Sequence, residues 1–336
     1  MEDPRPSQLQ DHPDTGEAVY TRSADRSVSE EYAALRDGAA LVDLSHKKVL
    51  RLAGKKTVEM LNAVLTNDVP EEDRLGVYAL LLNPKGRIQA DLRVLKSGED
   101  VLIEVEPEGA AAAKELLGRY APFYRVGLED LSETDASWSV LGLYGPRAGD
   151  LLEGPDLAEH ESLKVSLNGA DLLAAGVAVP ISGYDLLGPA DALEMARNHL
   201  RERGAVAASL DAYETARIEA SVPRFGSDIT PENFPAEAGI LERAVSFEKG
   251  CYPGQETVAR MHYRGHPNRE LHRFVVEGTP PVPGAEIAQS GRQVGWITSV
   301  ARLPVYGQIL ALGYLHRNAD PRGELESGET RLRNLA

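Results

Sequence analysis

The 336-residue chain has a mass of 36.4 kDa, a length that allows about two or three domains. Hydrophobic residues make up 42% of the chain and charged residues 26%, which excludes collagen-like, coiled-coil and wholly disordered proteins. Its net charge of −16 excludes nucleic-acid binding through the overall field, because release of counterions from nucleic acid needs a positive surface.

Residues 1–27 are rich in Asp, Pro, Ser and Gln, and we predict a flexible tail there because too little apolar surface is available to bury. A short helix opened by Ser29 and closed by Gly38 is predicted next. Strands are then predicted at Ala40–Leu44, Lys48–Leu52, Val77–Leu82, Ile88–Leu95 and Val101–Val105, and helices at Thr57–Leu65 and Gly109–Tyr120. Strand, helix and hairpin patterns recur through Trp138–Tyr144, Ala190–Arg203 and Ala212–Ala220. Hairpins outnumber βαβ repeats, which predicts an α+β fold.

The C-terminal part has a different pattern. Short strands are predicted at Leu271–Val276, Glu286–Ala288, Gln293–Arg302 and Ile309–Tyr314, separated by Pro- and Gly-containing turns. No helical pattern remains there, so we predict a small antiparallel barrel as a separate domain. The predicted domains are the tail at 1–27, an α+β region at 28–262 and the barrel at 263–336.

The sequence has no apolar run near the roughly 18–20 residues that cross a bilayer, and its first residues do not resemble a secretory signal. We therefore expect a cytoplasmic protein that makes no membrane contact. The single cysteine, Cys251, excludes an intrachain disulfide and an all-cysteine metal site.

The most unusual segment runs from Lys249 to Arg273 and begins K-G-C-Y-P-G-Q-E. Two glycines bracket Cys251, and the positive charge of Lys249 would favour the thiolate form of a nearby thiol. A lone cysteine is commonly a small buried hydrophobe, but the polar, glycine-rich neighbours here leave a functional thiol open as well. We expect an exposed motif loop formed by Gly250, Tyr252, Gly254, Gln255, Glu256, Arg260, Arg264 and Gly265.

The same segment is locally basic. Its arginines are Arg260, Arg264, Arg269 and Arg273, and its histidines are His262, His266 and His272. Such a segment on an acidic chain is a candidate anion or RNA contact, or a solvated loop whose arginines pair with neighbouring acids. Gly265 and Pro267 argue against a helix that would bring His262 and His266 together, so we predict no metal site.

Two weaker clusters precede this segment. Arg217 and Glu219 lie two apart in a predicted helix and therefore face different sides. Asp91 lies near the start of the strand that follows the Asn83–Gly86 turn.

The run Lys249–Glu256, with a downstream arginine, resembles the signature of the YgfZ-type folate-binding proteins. Other segments resemble the wider family that includes the glycine-cleavage T-protein, a folate-dependent aminomethyltransferase. These are L-V-D-L-S-H at 41–46, L-T-N-D-V at 65–69, V-Y-A-L-L-L-N-P-K-G-R-I at 77–88 and A-R-I-E-A at 216–220. The resemblance covers about residues 28–314.

The resemblance implies two interleaved ferredoxin-like α+β subdomains around a central folate-sized hole, followed by a six-stranded antiparallel β-barrel. It implies tetrahydrofolate, or a related reduced folate, as cofactor. It also implies a role in assembling or repairing iron–sulfur proteins, including tRNA-modifying enzymes, for which the motif cysteine is needed. The family match further favours a monomer.

Site residues follow from this reading. Cys251, Lys249 and Asp91 are the candidate catalytic residues, and the candidate folate-binding residues are Asp91, Arg217, Tyr78 and Asn83. We expect Asp91 at the pterin end and Arg217 at the glutamyl end of the ligand.

Two alternatives remain open at this point: a tetrahydrofolate-dependent aminomethyltransferase and a non-catalytic interaction scaffold. Ala90 stands where the T-protein has the first acid of a pair, and residues 180–183 lack the carboxylate of its Gly-Glu-Asp-Gly run. We therefore expect no aminomethyl transfer.

Overall fold

A computed structural model describes residues 28–303 and 307–335. The predicted tail at 1–27 lies outside the described residues. The first helix, α1, covers Val28–Asp37, in agreement with the predicted start near Ser29. Two antiparallel-rich sheets and a closed barrel follow it along the chain.

A five-stranded sheet carries one wall of the candidate site. Its strands are β2 (Lys48–Ala53), β3 (Val77–Leu82), β4 (Ile88–Ser97), β5 (Asp100–Val105) and β6 (Gly127–Asp130), in the order β3-β4-β5-β2-β6. Helices α2 (Thr57–Val64) and α3 (Pro107–Tyr124) pack with this sheet around one buried core. The β3–β4 turn forms as predicted, because the Asn83 carboxamide accepts the backbone N–H groups of Lys85 and Arg87.

A six-stranded sheet carries the opposite wall. Its strands are β1 (Ala40–Asp43), β7 (Trp138–Tyr144), β8 (Ser162–Leu167), β9 (Ala170–Val177), β10 (Gly183–Pro189) and β11 (Val206–Ala208), in the order β11-β1-β7-β10-β9-β8. Helices α4 (Ala148–Leu152), α5 (Ala190–Glu202) and α6 (Leu210–Glu219) belong to this part of the chain. Because β1 joins β7 and not β2, the two sheets are interleaved along the chain.

Two helices, α7 (Leu241–Ala244) and α8 (Gln255–Arg264), lead to the barrel. The barrel consists of β12 (Arg269–Glu277), β13 (Glu286–Gln289), β14 (Arg292–Leu303), β15 (Gln308–His316), β16 (Leu325–Ser327) and β17 (Thr330–Asn334). All its pairings are antiparallel and the ring closes in the order β12-β15-β14-β13-β16-β17. Phe274, Ile287 and Ile297 are fully buried in its core. The α+β fold with a six-stranded C-terminal barrel is therefore confirmed.

Helix α8 itself was not predicted, but the expectation that Gly265 and Pro267 keep His262 and His266 off a common helix agrees with the structure. Helix α8 begins after Gly254 and ends at Arg264, so Gly265 and Pro267 lie beyond the helix and do not interrupt it. His262 lies on α8 and His266 lies past its end, so the pair does not share a helix face. Within residues 28–303 and 307–335, no three His, Cys, Asp or Glu side chains are grouped to hold a metal ion. None of the helices described has both the length and the apolar character that crossing a bilayer requires.

Candidate functional site

A cleft of about 120 Å³ lies between the two sheets and the segment that joins α6 to α7. We call it the central cleft. About 10–15 Å³ of such volume is enough to hold one water molecule, so the cleft has room for several water-sized groups. It is therefore smaller than the folate-sized hole that the resemblance implies. Its lining consists of Lys47, Tyr78, Asp91, Arg93, Glu106, Glu159, His160, Val177, Val179, Pro180, Asp185, Tyr213, Arg217, Val222, Pro223, Arg224, Ile240 and Arg243.

Tyr78 on β3 and Asp91 on β4 are diagonal neighbours, since Tyr78 pairs with Arg93 and Asp91 with Leu80, and both line the cleft. The Tyr78 hydroxyl donates to Oδ2 of Asp91 at 2.8 Å. Oδ1 of Asp91 is buried and has no hydrogen-bond partner within the described part of the chain. Burial, followed by the negative charge of Glu106, raises the pKa of Asp91 to about 6. Asp91 is therefore an acceptor with one open position and a proton equilibrium near neutral pH.

Glu106 and His160 flank this pair. Burial disfavours an ionised Glu106, but the hydrogen bond from His46 and the charge of Lys47 outweigh it and lower the pKa of Glu106. His160 stacks on the Tyr78 ring with centroids 6.5 Å apart. Burial, with the positive charges of Arg93 and Arg243, lowers the pKa of His160 to about 3, so its ring is neutral at physiological pH. The cleft therefore combines an ionised carboxylate, a neutral imidazole and the titrating Asp91.

A buried ionic network joins the two sheets behind the cleft. The Arg93 guanidinium on β4 contacts Asp185 on β10 and donates to Glu104 at 3.0 Å. Lys47 donates to the other oxygen of Glu104 at 2.5 Å. Burial would raise the pKa of Glu104, but Lys47 and Arg93 lower it to about 2. Because charges removed from water need paired partners, this network holds the relative position of the two sheets.

Arg217 lines the cleft, but its guanidinium is occupied by protein groups. It donates to Asp228 at 2.6 Å, to Glu214 at 2.8 Å and to Ser299 of the barrel at 3.1 Å. Glu219 lies on another side of α6, where it accepts from Tyr32 and pairs with Arg36. The prediction that Arg217 and Glu219 face different sides is confirmed.

Two other arginines are better placed to meet an anion that enters the cleft. Arg224 and Arg243 both line it and retain 27% and 36% side-chain exposure. Arg243 pairs with Glu159 at 2.8 Å and lies over the Tyr78 ring at 5.4 Å. These two arginines were not among the predicted site residues.

Asn83, a predicted folate-binding residue, is not part of the cleft lining. Its side chain closes the β3–β4 turn, and the turn packs against the motif loop. Gly254 has φ +83°, and a Cβ there would lie 2.7 Å from the Asn83 carbonyl oxygen and 2.8 Å from Cα of Gly86. Only glycine fits this contact, which explains the second glycine of the motif.

The motif loop exposes its cysteine and buries its tyrosine. Cys251 is a free, exposed thiol, whereas Tyr252 is only 6% exposed within an apolar cluster beside β3. Cys251 itself does not line the central cleft. Gln255 and Glu256 form the first turn of α8. The thiol of Cys251 is thus exposed to solvent, while the buried side chain of Tyr252 anchors the loop.

Lys249 makes contacts that the sequence did not suggest. Its Nζ donates to the carbonyl oxygens of Leu65 at 2.8 Å and Asn67 at 2.6 Å. Burial lowers the pKa of Lys249 to about 8. In this structure the ammonium group therefore fastens the motif loop to the segment between α2 and β3.

The basic segment divides into two parts. Arg269 pairs with Glu237 at 3.1 Å and Arg273 donates to the Glu219 carbonyl, so these two arginines belong to the packing between domains. Arg260 and Arg264 are exposed on α8 and form no ion pair with any residue described.

Several residues of the cleft and of the ionic network behind it were missed because each lies inside an apolar strand. Arg93 and Glu104 interrupt the apolar runs of β4 and β5, and Asp185 does the same in β10. A charged residue within such a strand needs a buried partner, which was the available signal. His160 lies in a loop that offered no comparable signal.

A family model described as the GCVT N-terminal domain matches residues 5–249. The chain belongs to the GCVT N-terminal domain family. The match ends at Lys249, so most of the motif loop lies outside it, and the finer likeness to YgfZ-type proteins rests on that loop.

Curated members of this family are similar over most of the chain. An aminomethyltransferase of Moorella thermoacetica is 29% identical over 300 residues, covering 85% of this chain and 81% of that protein. An aminomethyltransferase of Thermus thermophilus is 29% identical over 314 residues, covering 89% and 86%. The crystal structure of glycine cleavage system aminomethyltransferase T from Bartonella henselae matches with a TM-score of 0.80 at 22% identity, covering 91% of this chain and 87% of that one. That structure supports the shared fold.

Proposed function

We propose that this protein binds a reduced folate with its pterin end in the central cleft and supports the assembly or repair of iron–sulfur proteins through Cys251. The observation that carries the folate part is the open acceptor position on Asp91. Its Oδ1 is buried within the cleft lining and unpartnered among the described residues. A buried acceptor without a donor costs free energy, so a ligand that supplies a donor there is stabilised.

The residues of the cleft fit a pterin. The ring carries amide and amino N–H donors, for which a carboxylate is the natural acceptor. Tyr78 and the neutral His160 offer aromatic groups, and Arg224 and Arg243 offer positive charge in the same cleft. Since Arg217 is occupied by Glu214 and Asp228, we do not propose it as the residue that binds the glutamyl end. A bound reduced folate would supply one-carbon carrier chemistry.

The iron–sulfur part of the proposal rests on Cys251 and on the resemblance of its motif. The chain has one thiol, and it is exposed. Thiolates are the usual protein ligands of iron–sulfur clusters, so an exposed thiol can contact a client protein or its cluster directly. The polypeptide partners would be iron–sulfur enzymes, which include those that modify tRNA.

Two measurements test the two parts separately. Calorimetric titration with tetrahydrofolate should show saturable binding by the wild-type protein, and Cys251→Ala should bind equally well because the thiol is outside the cleft. In a strain lacking the gene, the wild-type protein should restore iron–sulfur enzyme activity and Cys251→Ala should not. Full rescue by Cys251→Ala would refute the role of the thiol and leave folate binding standing.

Aminomethyl transfer is the second candidate, and the raised pKa of Asp91 is the observation that favours it. A carboxyl group with a pKa of about 6 can accept and return a proton near neutral pH, as proton traffic at a folate nitrogen requires. The curated relatives named above carry this activity in their names. The assay is tetrahydrofolate-dependent release of ammonia from an aminomethyl donor. Release by the wild-type protein that is lost in Asp91→Asn would support this candidate.

A further inference from the structure

The motif loop is connected to the central cleft by a continuous series of hydrogen bonds. Lys249, two residues before Cys251, donates from Nζ to the main-chain oxygen of Asn67 at 2.6 Å. The side chain of Asn67 in turn donates from Nδ2 to the main-chain oxygens of Tyr78 at 2.9 Å and Arg243 at 3.1 Å. Asn67 therefore contacts the motif loop through its backbone and the cleft wall through its side chain.

Both residues that Asn67 holds belong to the cleft. Tyr78 donates from its hydroxyl to Asp91 at 2.8 Å, and Arg243 lies over the Tyr78 ring at 5.4 Å. A ligand that draws a hydrogen bond to Asp91 or stacks on Tyr78 acts on the same residues that Asn67 fixes. Displacement of the loop and occupation of the cleft thus involve one set of contacts.

The motif loop is also held at its other end, at Gly254. A shift of the cleft wall therefore reaches the loop through a second set of contacts. Gly254 packs against Gly86 and the Asn83 carbonyl in the β3–β4 turn. Strands β3 and β4 are the ones that carry Tyr78 and Asp91. Cys251 lies between these two anchors, at Lys249 and Gly254.

We infer that Lys249 and Asn67 are positioning residues that couple the Cys251 loop to the Tyr78–Asp91 pair, so that a folate in the cleft changes the exposure of the thiol. This rests on the proposed folate binding. Coupling between two sites is reciprocal. A folate that changes the conformation of the loop must therefore bind with a different affinity when Lys249 no longer fastens the loop. The lysine of the motif thus transmits occupancy of the cleft to Cys251 through Asn67.

The single cysteine allows a direct test, because alkylation reports on Cys251 alone. The rate of reaction with N-ethylmaleimide is measured without ligand and with saturating 5-formyltetrahydrofolate, a reduced folate stable to oxygen. We expect the ligand to change the wild-type rate roughly fivefold or more, the lower end of usual coupling between sites. Lys249→Met and Asn67→Ala should abolish that change, and Lys249→Arg should restore part of it. Lys55→Met, which alters an exposed lysine, should behave as wild type.

Asn67→Ala also tests the inference without ligand. This variant keeps the carbonyl that Lys249 uses and removes the side-chain bonds to Tyr78 and Arg243, together with the local bond that Asn67 Oδ1 accepts from the Asp68 N–H. Alkylation that is several times faster than in the wild type supports the coupling, and an unchanged rate overturns it whether or not folate binds. Calorimetry with the same folate distinguishes the two failures: absent binding refutes the proposed function, whereas binding with an alkylation rate that the ligand leaves unchanged refutes only the coupling. Circular dichroism and Lys249→Arg exclude simple unfolding as the cause.

Discussion

Replacing Asp91 by asparagine should make the protein more stable at neutral pH. Burial raises the pKa of Asp91 from 3.8 to about 6, so the folded protein binds this proton more tightly than the unfolded chain does. The free energy of unfolding therefore decreases as pH rises from about 4 through 6, because Asp91 ionises more readily in the unfolded chain. Asparagine has the shape of neutral aspartic acid but does not ionise, so the variant does not lose stability in this way as pH rises.

The size of the effect follows from the two pKa values. The difference of about 2 units, at about 1.36 kcal/mol for each unit, corresponds to about 3 kcal/mol. Asp91→Asn should therefore raise the free energy of unfolding by about 3 kcal/mol at pH 7.5, and the gain should disappear toward pH 4. A buried residue that lowers the stability of the folded protein in this way is typical of a functional site.

Urea denaturation of the wild type and Asp91→Asn at several pH values between 4 and 8 measures this difference directly. Subtracting the free energy of unfolding of the wild type from that of the variant at each pH removes the contribution of the other carboxyl groups. Asp171→Asn, at an exposed position on β9, serves as the control. If Asp91→Asn were no more stable than the wild type at pH 7.5, or if its gain were the same at all pH values, the raised pKa of Asp91 would be wrong.

Three further outcomes are expected from the loop and from the contact between α6 and the barrel. Gly254→Ala should lose about 1–3 kcal/mol of stability by urea denaturation because a left-handed backbone and a tight contact both exclude a Cβ, whereas Gly250→Ala, which meets no atom within 4 Å, should be neutral. Equal losses in the two variants would contradict this. Asp228→Asn leaves the buried Arg217 with Glu214 as its remaining charged partner, so thermal unfolding should reveal a loss of about 1.5–3 kcal/mol, and a loss below about 1 kcal/mol would show that the Arg217–Asp228 pair is not needed. Cys251→Ala should leave the thermal midpoint unchanged, since the thiol is exposed; a clear decrease would mean that the thiol is packed.

Local pattern was enough for β2 to β5 of the five-stranded sheet and for β12 to β15 of the barrel, whereas β6 was missed. Runs such as Val77–Leu82, followed by the Asn83–Gly86 turn, specify a hairpin by themselves, and the strand bounds differ from prediction by at most two residues there. The short strands β16 and β17 were missed because three to five residues with only one apolar side chain each carry little pattern.

The site was harder to predict because its members come from distant parts of the chain. Asp91 and Tyr78 were identified, and both lie in the cleft, since the β3–β4 hairpin brings them together locally. Asp185, which meets Arg93 from the other sheet, could not be found by spacing because that contact depends on how the two sheets pack. The role of Lys249 was missed for the same reason: its partners at 65 and 67 are more than 180 residues away in sequence.

The most direct test of the central claim is calorimetric titration of wild type and Asp91→Asn with tetrahydrofolate at pH 7.5. A hydrogen bond from the pterin to the ionised carboxylate contributes about 1.5–3 kcal/mol, so the variant should bind roughly 10–100-fold more weakly than the wild type. Asp171→Asn should bind as the wild type does. Absence of binding by the wild-type protein, or equal affinity in Asp91→Asn, would contradict the assignment of the central cleft as a pterin site.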